Sequence, residues 1–323
     1  MKNQRNPGTD SRSSPFKNPA GNPQFRGFST SMVRTWARFA ADMARLRYQP
    51  SPFGPEHRLT PEQTLAGWQQ CRAERAVTWL GHASFLLRIG DSHLLTDPFL
   101  SDYASPAVKR LEPPALRATQ IPALDAILLS HNHYDHLDVA SLKVLAQRFP
   151  DTAVHVPLGL GPLLQRCGFT QVRELDWYDT AALNDLQIQA VPALHMSRRG
   201  LTDQNKTLWC GFALEQGDWR GYFAGDTAYG PVFEELGAYL GAVDLALVPI
   251  GAYAPRRIMK PVHATPEEAV RIAEHLHAGL AIGMHWGSIR LTTEPMDEPP
   301  KRFLAAESPV PRRVLRLGET LGV

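Results

Sequence analysis

The sequence has little cysteine, and its three cysteines have neither disulfide nor metal-binding spacing. Cys71, Cys167 and Cys210 are odd in number and far apart, with no C-x-x-C motif between them. This excludes a disulfide framework and a thiolate zinc site, and it is typical of reduced thiols in a cytosolic protein. We therefore expect the protein to be cytoplasmic.

Long apolar runs and a large net charge are also missing. No stretch approaches the roughly 20 apolar residues that span a bilayer, and the N-terminus has no apolar core of a secretion signal. The 34 basic and 32 acidic side chains leave a formal charge of +2, which argues against a nucleic-acid partner. With 323 residues, of which 43% are hydrophobic, the chain is long and apolar enough for a large α/β structure.

The charge is distributed unevenly along the chain. Residues 1–50 contain nine basic and two acidic side chains, so they carry a formal charge of +7 and the remaining residues carry −5. Residues 1–30 are rich in Pro, Gly, Asn and Ser, which predicts a flexible N-terminal segment. Residues 31–75 are predicted to form a basic amphipathic helix and a Pro-rich linker, and 76–323 the main domain.

Apolar residues at spacings of three and four predict the helix over residues 31–48. The face consists of Met32, Trp36, Phe39, Met43 and Leu46, and arginines flank it. One interpretation is a helix that lies on an anionic membrane surface, as a peripheral contact. The other is a helix that packs Trp36 and Phe39 against the body of the protein. The pattern favours the second slightly.

Short apolar runs alternate with helical patterns from residue 76 onward. Thr265, Pro266 and Glu268 give one helix a strong start signal, because they form a capping box with proline at its first position. The mixture predicts sheets covered by helices in one large α/β domain. The predicted strands are 76–80, Ser84–Ile89, 93–96, 125–130, 153–156, Leu186–Val191, 208–215, 220–224, 243–249 and 281–284, and the predicted helices are Val139–Arg148, Gly161–Cys167, Val232–Leu240 and 266–278.

One hexapeptide carries most of the chemical information. The apolar run DAILLS is followed directly by His131-Asn132-His133-Tyr134-Asp135-His136. Packing cannot use four such side chains at the end of a buried strand, and they need a cation among them. His131 and His133 point to the same side at period-two spacing, while Asp135 and His136 can reach a neighbouring point. The spacing therefore favours two adjacent metal ions over one.

Three further candidate ligands lie where other apolar runs end. They are His195 in AVPALHMS, Asp226 in GYFAGDTAYG and His285 in LAIGMHWG. Each alone is typical of a turn or capping residue, but their combination with the hexapeptide predicts a metal site. Gly225 allows a sharp turn that would let Asp226 bridge two cations.

These motifs resemble the metallo-β-lactamase superfamily of dinuclear zinc hydrolases, whose fold is an αββα four-layer sandwich. The resemblance covers about residues 76–300 and includes TWLGHASFLL and LLTDPFLS, which are similar to the opening strands. Finer features resemble the branch of N-acyl-phosphatidylethanolamine-hydrolysing phospholipase D and its bacterial relatives. They are FKNP at 16–19, GDTAYG, and the segments 249–270 and 285–300. Ala254 and Arg257 depart from that branch, in which we expect an acidic and an aromatic residue.

The resemblance implies a set of metal ligands. One ion would be held by His131, His133 and His195, the other by Asp135, His136 and His285, with Asp226 as the bridge. Imidazole and carboxylate ligands suit two Zn²⁺ ions, with iron or manganese as the alternatives. His82 and Asp97 are expected to support the ligands from outside.

Two cations about 3.5–4 Å apart would lower the pKa of a shared water toward neutrality, and the hydroxide would attack phosphorus. His263 precedes the capped helix, and the matching histidine of the family is associated with catalysis. We assign it to substrate contact or acid chemistry. Asp135 and Tyr134 are further candidate catalytic residues, and Tyr134 would donate to the substrate phosphate. Tyr253 and Arg256 are weaker candidates for that contact.

The leading functional hypothesis is a phospholipase D-type phosphodiesterase. It would hydrolyse N-acyl-phosphatidylethanolamine to an N-acylethanolamine and phosphatidic acid. The alternatives are a hydrolase for a small soluble substrate, similar to the ascorbate-6-phosphate lactonase branch, and a sensor that binds metal without turnover. The sequence leaves the oligomeric state open, a homodimer included.

Overall fold

The structure is a computed structural model that describes residues 16–22, 30–46, 49–105 and 108–323. Much of the predicted flexible segment, as well as Arg47 and Tyr48 of the predicted amphipathic helix, lies outside the described residues. The helices are α1 (Thr30–Leu46), α2 (Pro61–Gln70), α3 (Val139–Arg148), α4 (Gly161–Cys167), α5 (Val232–Leu240), α6 (Arg256–Met259), α7 (Pro266–His275) and α8 (Glu298–Ala305).

The strands form two large sheets and one small hairpin. They are β1 (Arg75–Gly81), β2 (Ser84–Ile89), β3 (Ser92–Thr96), β4 (Tyr103–Ser105), β5 (Val108–Lys109), β6 (Ala126–Leu128), β7 (Ala153–Pro157), β8 (Gln171–Leu175), β9 (Thr180–Leu183), β10 (Leu186–Val191), β11 (Gly211–Gln216), β12 (Trp219–Phe223), β13 (Leu245–Pro249), β14 (Leu280–Met284), β15 (Arg312–Arg313) and β16 (Thr320–Gly322). The first sheet has the order β16-β1-β2-β3-β6-β7-β8, the second β15-β14-β13-β12-β11-β10-β9, and β4 pairs with β5.

Helices cover the two large sheets. On the first sheet, α2 contacts β1 and β16, and α4 contacts β8; on the second, α7 contacts β13 and β14, and α8 contacts β15. Buried side chains of both sheets, such as Phe85 and Phe212, belong to one hydrophobic core. The predicted α/β class with an αββα four-layer sandwich is confirmed.

Local signals account for several element boundaries. The capping box of α7 is present, because Thr265 Oγ1 accepts from Glu268 N and the Glu268 carboxylate accepts from Thr265 N. The helix ends at His275, earlier than predicted, and His277 adopts a left-handed φ of 47°. The segment predicted to be a linker contains α2, which has its own capping box and buries Trp68 in the core.

Parallel pairing brings the carboxyl ends of strands that precede candidate ligands to a common edge of each sheet. β3 and β6 are parallel neighbours in the first sheet, and β12, β13 and β14 are parallel neighbours in the second. Loops at the carboxyl ends of parallel strands meet at the same edge of a sheet, where binding sites are usual. The predicted antiparallel meander β1-β2-β3 is also present.

The described part of the N-terminal region consists of residues 16–22 and α1, and none of its described side chains is fully buried. Residues 16–22 contact the body, and Phe16 packs against the core. No described side chain of α1 is buried, and Trp36 on its apolar face is 38% exposed. The helix contacts α6 of the body. No helix among the described residues is both long and apolar enough to cross a bilayer.

Candidate metal centre

Five loops that follow strands carry the candidate ligands. His82 follows β1 and the hexapeptide follows β6; His195 follows β10, Asp226 follows β12 and His285 follows β14. Both sheets therefore contribute side chains, and all seven predicted ligands lie in two adjacent clusters of buried or half-buried groups. Tyr134 belongs to neither cluster.

Cluster A consists of His131, His133, His195 and Asp226, whose ligand atoms lie within 4.8 Å of one another. His133 Nδ1 lies 2.8 Å from His131 Nε2 and 3.2 Å from His195 Nε2. The Oδ2 atom of Asp226 lies 3.7 Å from His195 Nε2. Three imidazole nitrogens and a carboxylate that converge in this way match the ligand number and types of a tetrahedral zinc site.

Cluster B consists of His82, Asp135, His136 and His285, again with ligand atoms within 4.8 Å. Asp135 Oδ2 is at its centre, 3.6 Å from His136 Nε2 and 3.7 Å from His285 Nε2. His82 Nε2 is nearer, at 2.8 Å. The sequence predicts a supporting role for His82, and this contact with the Asp135 carboxylate is consistent with that role.

Asp226 lies between the two clusters. Its Oδ1 is 3.1 Å from His285 Nε2, and its Oδ2 is 3.2 Å from His136 Nε2. The same Oδ2 faces His131 Nε2 of cluster A at 3.9 Å. One carboxylate is thus placed to contact cations in both clusters.

Asp97 orients the ligands of both clusters from outside. Its Oδ2 accepts from His136 Nδ1 at 2.7 Å and from Ser130 Oγ at 2.6 Å. Ser130 Oγ in turn lies 2.9 Å from His131 Nδ1. His195 Nδ1 donates to Val262 O at 2.8 Å. These contacts leave Nε2 of each imidazole directed at the clusters, which is the usual support of metal-binding histidines.

Burial keeps the histidines of cluster A in the neutral form that binds metals. It lowers the pKa of His195 to about 3 and that of His133 to about 4, although Asp226 opposes the shift in both. The pKa of His131 is also held well below its usual value by burial. At neutral pH these nitrogens offer lone pairs rather than charge.

In cluster B, the pKa values of two histidines are raised rather than lowered. Burial lowers the pKa of His285, but the Asp226 and Asp135 carboxylates outweigh burial and raise it to about 9. The pKa of His136 is raised well above its usual value for the same reason. Burial raises the pKa of Asp226, yet His136 and His285 hold it well below the usual range. Cluster B therefore requires positive charge, which protons supply where no cation is bound.

Unsatisfied polar atoms show that the residues fit a metal ion. Nε2 of His136, Nε2 of His285 and Oδ1 of Asp226 are buried and have no hydrogen bond of acceptable geometry among the described residues. Buried polar atoms without partners are costly and rare. A divalent cation in cluster B, beside Asp226 Oδ1, would give these atoms a partner.

Close backbone approaches shape the site at two glycines. Gly225 has a φ of +58°, and a Cβ there would lie 2.5 Å from Ser130 Cβ. At Gly251, a Cβ would lie 2.1 Å from the carbonyl oxygen of His285. Glycine is therefore needed at both positions, which supports the sequence interpretation of Gly225.

His263 lies beside the clusters on their accessible side. It forms a group with Asp226 and His285 and, like His133, is only half-buried. Burial of its ring lowers the pKa to about 3, although Asp226 opposes the shift, so the imidazole is neutral at pH 7. Its Nδ1 has no hydrogen-bond partner among the described residues. The ring is thus free to exchange a hydrogen bond with a ligand above the clusters.

The weaker phosphate-binding candidates are engaged elsewhere. Arg256 Nη1 donates to His263 O, and Arg256 Nη2 donates to the Glu268 carboxylate at 2.7 and 3.0 Å. Tyr253 Oη donates to Glu298 Oε1 at 2.6 Å. Arg256 therefore holds the loop around His263, whereas Tyr253 connects the loop before α6 to the start of α8. The sequence did not reveal either role.

Tyr134 is exposed at the rim of the site. Its Oη donates to Arg199 O at 2.9 Å, and the Arg199 guanidinium lies over its ring, 4.0 Å from the centroid. These contacts use the hydroxyl that was expected to donate to a phosphate. The catalytic role of Tyr134 stays a prediction.

Comparisons with known proteins agree with the fold and with the geometry of the candidate site. The Beta-lactamase superfamily domain matches residues 92–286. An uncharacterized protein of Mycobacterium tuberculosis is 42% identical over 247 residues, which are 72% of this chain and 64% of that protein. The chain thus spans less than two thirds of that relative's length.

Two other similarities extend the comparison. N-acyl-phosphatidylethanolamine-hydrolyzing phospholipase D 1 of Caenorhabditis elegans is 39% identical over 237 residues, which are 69% of this chain and 67% of that protein. The crystal structure of a possible metal-dependent hydrolase from Veillonella parvula superposes with a TM-score of 0.64 at 16% identity, covering 77% of this chain and 99% of that one. The domain match, these relatives and the two His/Asp clusters at the common sheet edge agree, and the chain belongs to the beta-lactamase superfamily.

Proposed function

We propose that the protein is a metal-dependent hydrolase with a dinuclear zinc centre. His131, His133 and His195 would hold one ion, Asp135, His136 and His285 the other, and Asp226 would bridge them. The shared position of the Asp226 carboxylate between clusters A and B is the observation that carries this proposal. Imidazole and carboxylate ligands favour Zn²⁺ over Mg²⁺ or Ca²⁺, and iron or manganese is the alternative that metal analysis would identify.

The proposed reaction is hydrolysis of a phosphodiester. When bound, the two cations supply a water-derived nucleophile at neutral pH and stabilise charge on the phosphoryl oxygens. The neutral His263 ring carries one N–H, which it donates to a phosphoryl oxygen or to the leaving oxygen. Arg256 holds the backbone of His263 and so fixes the direction of that donation. The half-buried positions of His133 and His263 mark the side on which substrate enters.

We propose an N-acyl-phosphatidylethanolamine-type phospholipid as the substrate, with an N-acylethanolamine and phosphatidic acid as products. The activity for which the C. elegans relative is named supports this choice. Ala254 and Arg257 are the positions at which acyl-chain selectivity would differ from that branch. Arg257 is exposed on α6, the element that α1 contacts.

A substrate panel tests the reaction. Wild type and Asp226→Asn would be assayed on N-acyl-phosphatidylethanolamine vesicles, on a soluble aryl phosphodiester and on a sugar-phosphate lactone. The proposal expects the lipid to be hydrolysed with the highest kcat/KM, and Asp226→Asn to lose turnover of every substrate. Preference for the lactone would favour the small-molecule alternative. Two bound metals without turnover of any substrate would favour the sensor.

The α1 helix would bring the enzyme to the lipid surface. Val33 and Trp36 are 57% and 38% exposed, and Arg34, Arg38 and Arg45 are exposed on the same helix. Exposed apolar side chains among arginines suit insertion at an anionic membrane surface. We therefore include this membrane contact in the proposal. Residues 76–323 would form the domain that performs the chemistry.

The membrane contact has its own test. Replacing Val33 and Trp36 with Glu removes apolar surface that would be buried in lipid, so vesicle binding should fall on the order of tenfold or more. Turnover of the soluble phosphodiester should not change. Leu304→Glu is the matched control, because Leu304 is an exposed apolar side chain on α8. An equal loss in both variants would contradict the contact.

A further inference from the structure

The N-terminal residues 16–22 reach one of the candidate ligands directly. Asn18 Oδ1 accepts a hydrogen bond from the backbone N–H of His195 at 3.1 Å. The same oxygen accepts from Trp209 Nε1 at 3.1 Å. Trp209 is buried, and its Nε1 also donates to Ala193 O at 3.0 Å. Asn18 thus fills the space between His195 and a fixed indole.

Two more contacts hold this N-terminal segment in place. Phe16 N donates to Asn205 O at 2.8 Å, and Asn205 N donates to Ser197 O, two residues beyond His195. At the other end, Asn22 Oδ1 accepts from Val232 N at the start of α5. The segment therefore connects the His195 loop to the helix that follows the Asp226 loop.

His195 is held by one hydrogen bond to its ring and by another to its backbone. The bond from His195 Nδ1 to Val262 O sets the rotation of the ring, but it does not prevent the whole loop from shifting. The bond from His195 N to Asn18 Oδ1 restrains the main chain that carries the ring. Residues that orient metal ligands in this way typically change metal affinity 10–100-fold when they are replaced.

We propose that Asn18 is a positioning residue for His195 and that residues 16–22 are a required part of cluster A. Asn18 belongs to the FKNP segment at 16–19, to which the proposed reaction gives no role. Positioning of His195 would be the function of that segment. The inference rests on the proposed metal centre, because its consequence is a change in how tightly cluster A holds its ion.

The test compares metal binding by three variants. Asn18→Leu has similar volume and removes the acceptor, while Asn18→Asp keeps an acceptor oxygen at the same distance from the backbone. Lys17→Leu is the matched control, because Lys17 is an exposed neighbour in the same segment. Zn²⁺ dissociation constants are measured by competition with a chromogenic chelator, and the Co²⁺ derivatives are compared by their visible absorption spectra.

We expect Asn18→Leu to raise the dissociation constant of one of the two ions about 10–100-fold and to change the Co²⁺ spectrum. Asn18→Asp and Lys17→Leu should retain the wild-type affinity and spectrum. Unchanged binding by Asn18→Leu would overturn the proposal. So would equal losses in Asn18→Leu and Asn18→Asp that accompany equal falls in the Tm of the metal-free proteins, since those indicate general destabilisation.

The same measurements distinguish failure of the positioning role from failure of the proposed metal centre. If Asn18→Leu does not fold, Asn18→Ala is compared with Asn18→Asp by the same criteria. If the wild type itself does not bind two ions, the metal centre is wrong. If the wild type binds two ions and the Asn18 variants do so equally well, only the positioning role is wrong.

Discussion

His82 Nε2 lies 2.8 Å from Asp135 Oδ2, the oxygen at the centre of cluster B. His82 is buried and adopts a left-handed φ of 57°, an uncommon backbone conformation for a histidine. Strained backbone of this kind persists where the surrounding structure imposes it. The contact places His82 against a predicted ligand, so it controls where that carboxylate points.

Replacing His82 with Ala should weaken the cluster B ion selectively. Asp135 would lose the partner that orients it, and affinity at one of the two ions should fall about 10–100-fold. A stepwise Zn²⁺ titration followed by metal analysis measures the effect. His277→Asn is a suitable control, since His277 is an exposed histidine with a similar positive φ. Equal loss of both ions would argue against a role confined to cluster B.

Asp97→Ala should lower the stability of the protein as well as metal affinity. The change leaves His136 Nδ1 and Ser130 N buried without their acceptor. Each unsatisfied group costs about 1–3 kcal/mol of unfolding free energy. Urea unfolding of the metal-free protein measures the loss. Asp91→Ala, in an exposed turn, should have little effect, and a similar loss there would make the Asp97 result uninformative about the site.

Metal uptake should release protons in a way that depends on pH. The pKa of His285 is raised to about 9, so its ring is protonated in the metal-free protein at pH 7, and the neighbouring carboxylates also raise the pKa of His136 well above its ordinary value. Binding of Zn²⁺ should therefore displace protons from cluster B at that pH. The release should decrease as the pH rises through the raised pKa values. Calorimetry of Zn²⁺ binding in buffers of different ionisation enthalpy counts these protons, and no release at pH 7 would contradict the assignment.

Arg256→Met should impair turnover more than substrate binding. The variant removes the donor to His263 O and the ion pair with Glu268, which also caps α7. We expect kcat on a soluble phosphodiester to fall while KM changes little, because the ring of His263 loses its alignment. Lys260→Met, an exposed lysine that follows α6, is the control. A rise in KM with unchanged kcat would instead favour direct phosphate binding by Arg256.

Removing the metals should lower Tm as well as activity. An ion that binds only the folded state adds about 2.7 kcal/mol of stability at a concentration 100 times its dissociation constant. A chelator should therefore lower the thermal unfolding midpoint, and added Zn²⁺ should restore it together with turnover. Full activity in the metal-free protein would contradict the proposed chemistry.

Strand-end patterns in the sequence located most of the candidate site. His195, Asp226 and His285 each follow an apolar run that forms a strand. Parallel pairing through β13 brings the ends of β12 and β14 to one edge, and β10 ends at the same edge because the antiparallel β11 lies between it and β12. The hexapeptide after β6 supplied the rest. Because these signals are local, a single sequence contains them, and the αββα layers follow from the alternation of strands and helices.

Contacts between distant segments were not predictable in this way. Asn18 meets His195 across 177 positions of the chain, and His82 meets Asp135 across 53. Nothing in the neighbourhood of Arg256 indicates that it bonds to His263 rather than to a phosphate. Such pairings depend on how the two sheets dock, which no local pattern encodes.

The division of the ligands between two sheets has a consequence for synthesis of the protein. His131 and His133 emerge early, whereas His285 emerges late, and β16 must still return to pair with β1. A nascent chain therefore exposes half of a metal site before its counterpart exists. Clusters A and B each combine residues from both sheets, so neither has its full set of ligand atoms until the second sheet has docked on the first.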